Sequence, residues 1–326
     1  MRPQLRGIFQ RRHAGDDALM ELARVRFEQA GLGAELYAHD ADELERMLAF
    51  VPDVPLDPTV HLHRGLDLRA AGDRATVAAF ARRFAGRVGG FVVHDQRHMA
   101  GHTDALVAAL HDLDGEVAGL GPTVFLEYAS GHPLEWFGDL AERLAGLRSV
   151  SLCIDVGHVG IHQARQTFAA AHPGVEPTEL RGDALAQVAG DVQAAVDSAL
   201  PAVVELTSVV SRVGAPLHLH LHDGHPLIPG VSDHFSFLMR LPVPFTYDGR
   251  RALDPLYGPD GLRAIVAAAD EAAAVSAPSL TLEIHQAEGR RPLGDAADLF
   301  AHWTDVTNAE RTNHWLAVLA ENARLL

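Results

Sequence analysis

The feature that most constrains this chain is a strict alternation of short β-like segments with amphipathic helical stretches. Eight such segments can be read: Gln4–Phe9, Ala34–Ala38, Thr59–His63, Val88–His94, Thr123–Tyr128, Val150–Asp155, Pro216–His222 and Ser279–His285. Between them lie Ala-, Leu-, Arg- and Glu-rich runs such as Asp17–Ala30, Ala41–Phe50, Arg74–Phe84, Asp104–Leu113 and Leu134–Leu144. This order predicts parallel strands joined by crossover helices. Eight units in succession predict an α/β fold with the sheet closed on itself, a (β/α)8 TIM barrel, as a single domain over residues 1–326. The first six segments recur at about 25–33 residues, the length of one βα unit. Long loops are expected after the sixth and seventh strands, roofing the C-terminal face. The first contains a helical stretch from Asp183 to Val213, and the second is the Pro- and aromatic-rich stretch His225–Gly258. Thr307-Asn-Ala-Glu310 has the pattern of a capping box opening the last helix.

Side chains alternate between the two faces of a strand. In the seventh segment Leu217, Leu219 and Leu221 alternate with His218, His220 and His222, and in the eighth Leu280, Leu282 and Ile284 alternate with Thr281, Glu283 and His285. In the sixth, Leu152 and Ile154 alternate with Ser151, Cys153 and Asp155. In the fifth, Val124 and Leu126 alternate with Thr123, Phe125 and Glu127. The aliphatic set belongs against the helices, so the polar set points into the barrel. Ionisable groups there are costly unless paired or bound to a cation. Glu127, Asp155, His220 and Glu283 each end a strand, where barrel enzymes place their sites. A divalent metal resolves their mutual repulsion, and mixed O and N ligands suit Mn, Mg, Co, Zn or Fe. Any one of them alone reads as an ordinary satisfied core residue; the joint pattern across four strands carries the metal reading.

Composition narrows the chemistry. The 27 basic residues are all arginine, so imine chemistry on a lysine and a P-loop lysine are both excluded. A net charge of −16 repels a phosphate backbone on average and disfavours nucleic acid as a partner. The single cysteine, Cys153, rules out a disulfide within the chain and fits a reducing, cytoplasmic setting. The sequence has neither a signal-peptide pattern nor an apolar run of membrane-spanning length, so no membrane partner is expected. A small-molecule substrate is the expected partner, and self-association into a homo-oligomer is left open. Many of the 20 histidines are scattered, in keeping with a coding bias towards Arg, Ala and His, but several cluster at strand ends.

The strings Phe125-Leu-Glu127-Tyr, Cys153-Ile-Asp155-Val-Gly-His158, His220-Leu-His-Asp223 and Leu282-Glu283-Ile resemble the xylose isomerase-like superfamily of TIM barrels. That group includes sugar epimerases, inosose-processing enzymes and endonuclease IV-type enzymes. The resemblance implies metal ligation by Glu127, Asp155, His220 and Glu283, with His158 facing substrate or a second metal. It implies further metal ligands at His61 and His94. Asp233 and His234 stand near an Asp-x-His pair of such members, although here the two are adjacent. The plainer reading of His61, His63 and His94 is hydrogen bonding behind the site or substrate contact. Pro133 and Pro226 stand where ketohexose 3-epimerases carry a glutamate and an arginine, which argues against that subtype.

The expected chemistry is isomerisation or epimerisation of a sugar, polyol or related hydroxy-carbonyl compound. A Lewis-acidic cation would favour an enediolate while the catalytic pair Glu127 and Glu283 exchange the proton. The alternatives are a multinuclear phosphoester hydrolase and a multi-iron peptide-modifying oxidase; a purely structural metal protein is the non-enzyme reading. His158, His222 and Arg290 are candidate substrate contacts. Arg250-Arg251 and Arg290-Arg291 are candidate anion clamps, against the commoner outcome of solvated arginine. Trp136, Phe237 and Tyr257 are candidate stacking residues, with packing an equal rival.

Overall fold

In the computed structural model the described residues are 5–9, 15–213, 216–227, 246–247, 250–251, 255–272, 278–284 and 307–326. The eight barrel strands are β1 (Leu5–Ile8), β2 (Gly33–Tyr37), β3 (Thr59–His61), β4 (Gly90–His94), β5 (Thr123–Glu127), β6 (Val150–Asp155), β7 (His218–Leu221) and β8 (Ser279–Leu282). They close in the order β1-β8-β7-β6-β5-β4-β3-β2, and every pairing is parallel. The fold is therefore a (β/α)8 TIM barrel, as the alternation predicts.

The helices are α1 (Asp17–Ala30), α2 (Ala41–Met47), α3 (Ala71–Arg83), α4 (Thr103–Val117), α5 (Leu134–Arg143), α6 (Val156–Ala171), α7 (Gly182–Asp197), α8 (Ala199–Ser211), α9 (Gly258–Ala272) and α10 (Asn308–Leu325). Local chemistry sets their ends. Asp16 caps α1 by accepting from the amides of Ala18 and Leu19, and Gly31 ends it in the left-handed region. The Thr307–Glu310 capping box at α10 is present in both directions. α10 packs on α1 and closes the ring beside β1.

Two apolar compartments follow from the alternation. Leu219, Leu221, Leu280 and Leu282 join the continuous core between sheet and helices. Val92, Phe125 and Cys153 form a separate small cluster inside the barrel. The β6–β7 connection is long and carries the expected helical stretch. It is built from three helices, α6 to α8, and α8 packs against α5, α6 and α9 in the outer layer. The stretch Gly182–Ser211 is long and apolar enough to cross a membrane by length and composition alone. Here a turn at Ser198 splits it, and Val203, Leu206 and Val210 are buried. Of the connection after β7, residues 222–227, the antiparallel pair Thr246–Tyr247 and Arg250–Arg251, and residues 255–257 are described. Asp233, His234, Phe237, His285, Arg290 and Arg291 lie outside the described residues.

Candidate metal centre

The barrel interior is polar in layers. Lowest lies Arg6, whose guanidinium donates to the Asp57 carbonyl at 2.9 and 3.0 Å and also to Ser279. Above it sits Glu35 of β2, fully buried. Its Oε2 accepts from Thr59 at 2.7 Å and Thr281 at 3.0 Å, and lies 3.0 Å from Nε2 of His218. Burial pushes the Glu35 carboxyl up, but His220 and His218 outweigh burial and hold it well below the usual carboxylate range. Glu35 was missed in the sequence, although its alternation with Ala34 and Leu36 was a usable signal.

The next layer holds the expected set. Glu127, Asp155, His220 and Glu283 are all buried, and each offers a ligand atom within 4.8 Å of the others. Nδ1 of His220 lies 3.0 Å from Oε2 of Glu283 and 3.3 Å from Oε1 of Glu127, while Nε2 lies 2.9 Å from Oε1 of Glu35. Despite these distances neither ring nitrogen has the alignment of a hydrogen bond. Burial alone would push His220 down, yet Cys153 and the carboxylates of Glu35, Glu283 and Glu127 hold it well above its ordinary value. Burial drives the Cys153 thiol up, which removes it as a nucleophile.

His61 and His94 converge on Glu127. Their Nε2 atoms lie 3.0 and 3.2 Å from the same oxygen, Oε2, and 3.1 Å from each other. A carbonyl can only accept, so the contact of His61 Nδ1 with the Leu62 carbonyl at 3.0 Å places a proton on Nδ1. Nε2 then faces a carboxylate and a second imidazole, and only a further proton or a cation makes that arrangement favourable. Burial raises the Glu127 carboxyl, but His94, His220 and His61 hold it well below the usual range.

A parallel arrangement surrounds Asp155. His222 donates from Nδ1 to the Asp223 carbonyl at 3.0 Å, and its Nε2 lies 2.6 Å from Oδ1 of Asp155. Burial lowers His222, and the Asp155 carboxylate more than reverses this, raising it to about 9. His158 Nε2 is 3.6 Å from Oδ2 of Asp155. The Asp-x-Gly-His string explains how this is built. Strand β6 runs straight into α6, and Asp155 caps that helix by accepting from the His158 amide at 2.8 Å. A Cβ on Gly157 would stand 1.9 Å from Cε1 of His222, so only glycine lets that ring reach Asp155.

His61, His94, Glu127, Asp155, His158, His220, His222 and Glu283 therefore share one mouth. Three further residues pack around the site. Asp223 accepts from the amides of Gly224, Tyr257 and Gly258 and fastens the β7 end to α9. Tyr257 is buried with its hydroxyl on the Val156 carbonyl, so it packs behind the site and does not stack on a ligand. Trp136 donates to Thr103 and lies over the His132 ring. The donor set fits divalent cations: three fully buried imidazoles are raised or misaligned for want of positive charge between carboxylates, and two of them already donate their other nitrogen to a carbonyl.

No model of a known protein family matches the chain, and no curated protein matches it. Among solved structures, AsfvAP:AG is similar at 15% identity with a TM-score of 0.49, covering 98% of this chain and 100% of that one. D-psicose 3-epimerase with D-tagatose from Clostridium cellulolyticum H10 is similar at 10% identity with a TM-score of 0.47, covering 97% of this chain and 94% of that one. The eight parallel strands of the chain itself identify its fold as a TIM barrel carrying a buried His/Asp/Glu cluster at its mouth.

Proposed function

We propose that the chain is a metal-dependent enzyme with a centre for two or more divalent cations, and that it hydrolyses a phosphoester bond in a small molecule. One observation carries this reading: the His61 and His94 nitrogens meet on one oxygen of Glu127, whose other oxygen faces His220 and the rest of the four-residue set. A single cation at Glu127, Asp155, His220 and Glu283 leaves His61 and His94 unexplained. Divalent cations, when bound, would supply Lewis acidity and an activated water at neutral pH. Glu127 joins the two halves of the centre. Asp155, fixed by the His158 amide and His222, holds the second half in place. His158, on the first turn of α6 with Nε2 3.6 Å from Oδ2 of Asp155, would contact the substrate beside the second half.

The second reading is the isomerase or epimerase. It is favoured by Glu127 and Glu283 flanking Nδ1 of His220, as a two-base proton exchange needs. Against it, two-base proton exchange gives no role to His61 and His94, which meet on Oε2 of Glu127. A panel of small phosphoesters, ketoses and inososes, incubated with metal-loaded protein, separates the two. Hydrolysis incorporates oxygen from isotopically labelled water into one product and leaves carbon-bound hydrogen untouched. Solvent deuterium entering a carbon skeleton without bond cleavage would establish the isomerase instead.

A further inference from the structure

One inward-facing layer below the centre, β6 and β7 place Cys153 opposite His218, just as they place Asp155 opposite His220 one step further out. Cys153, His218 and His220 each offer a ligand atom within 4.8 Å of the others, and all three are fully buried. His220 is the one residue this group shares with the four-residue set. Val92 and Phe125 pack around Cys153, and the Phe125 ring lies 5.1 Å from that of His218, so apolar side chains border the three donors.

The two nitrogens of His218 have different surroundings. Nε2 lies 3.0 Å from Oε2 of Glu35, a carboxyl that its histidine neighbours hold ionised. An ionised carboxylate only accepts, so Nε2 carries the proton and Nδ1 keeps its lone pair. Among the described residues that Nδ1 has no hydrogen-bond partner, although it is buried. A buried acceptor left in this way is unfavourable. A carboxylate that fixes one imidazole nitrogen while the other stays open is the arrangement found on metal-ligating histidines. Burial keeps the Cys153 thiol protonated in the metal-free chain, and a cation displaces that proton as it binds. A thiolate with two imidazoles selects soft, thiophilic cations over Mg2+ or Mn2+.

We propose that Cys153, His218 and His220 form a separate site for a thiophilic divalent cation such as Zn2+ or Cd2+, and that this site competes with the four-residue centre for His220. The competition rests on the reading of that centre as a metal site; ligation by Cys153 and His218 does not. A thiophilic cation in the lower layer draws His220 away from Glu127 and Glu283, so it opposes loading of the centre with harder cations.

The test is titration of Cd2+ into the chelator-treated full chain, followed by the ultraviolet thiolate-to-metal charge-transfer band, with circular dichroism confirming the fold. The chain has one cysteine, so any such band reports Cys153. A saturable band is expected in the wild type. It should vanish in Cys153→Ser and require about tenfold or more Cd2+ in His218→Gln. Prior saturation with Mn2+ should raise the Cd2+ needed to reach half the band. No band in the folded wild type, or a band unmoved by His218→Gln, overturns the site, and a band unmoved by Mn2+ overturns the competition. The first result needs only the wild type, so a variant that fails to fold does not shield the proposal. The band does not depend on turnover, so a failure to detect hydrolysis leaves it standing and the two readings fail separately.

Discussion

Nε2 of His220 stands 2.9 Å from Oε1 of Glu35, on the side of the ring turned away from Glu127 and Glu283. This carboxylate, held by Thr59, Thr281 and His218, is near enough to accept from Nε2 once the ring turns into alignment, which would leave Nδ1 for a cation. Glu35→Gln keeps the volume and removes the charge. It should weaken divalent metal binding by roughly 10–100-fold with the barrel still folded. Competition with a chromophoric chelator measures this, and circular dichroism checks the fold. Unchanged affinity would remove Glu35 from the site.

The raised histidines make metal binding and stability pH-dependent. His222 is raised from 6.5 to about 9 in the folded chain. Its interaction with Asp155 stabilises the metal-free fold fully below pH 6.5 and is lost as pH rises through about 9, an effect of order a few kcal/mol. Denaturant titrations of chelator-treated protein should show this loss, and saturating metal should flatten it. The same protons must leave when metal binds. Titration at pH 7 in buffers of different ionisation enthalpy should therefore show release of about one to three protons per chain.

No measurable binding to duplex DNA is expected at moderate salt. The net charge of −16 opposes it. A salt-dependent isotherm with a slope of several phosphate contacts would contradict this expectation.

The strands and the four central residues could be read from the sequence because both depend on a period of two. Leu219 and Leu221 face the helices while His218 and His220 face inward, which one line of sequence reveals. Glu35 escaped notice because a lone carboxylate between Ala34 and Leu36 looks like one solvated residue until the closed barrel places it beside His218, 183 positions away. In β4 the rule weakens, since Phe91, Val92 and Val93 are all buried, two against helices and one inside the barrel. The course of the loop after β5 was invisible for a different reason: the Asp95 contacts to the Ala129 and Ser130 amides set it, and they join residues 34 and 35 positions apart. Helical periodicity in the β6–β7 connection did not reveal that α8 packs against α5, α6 and α9.

The central claim is that the mouth of this barrel holds more than one cation, and a metal count tests it most directly. Elemental analysis of full-length protein purified without added metal, and again after loading and desalting, should give two or more equivalents per chain, with His61→Ala and His94→Ala each removing about one. A single equivalent in the wild type, unchanged in both variants, would contradict the account and return the site to the four residues Glu127, Asp155, His220 and Glu283.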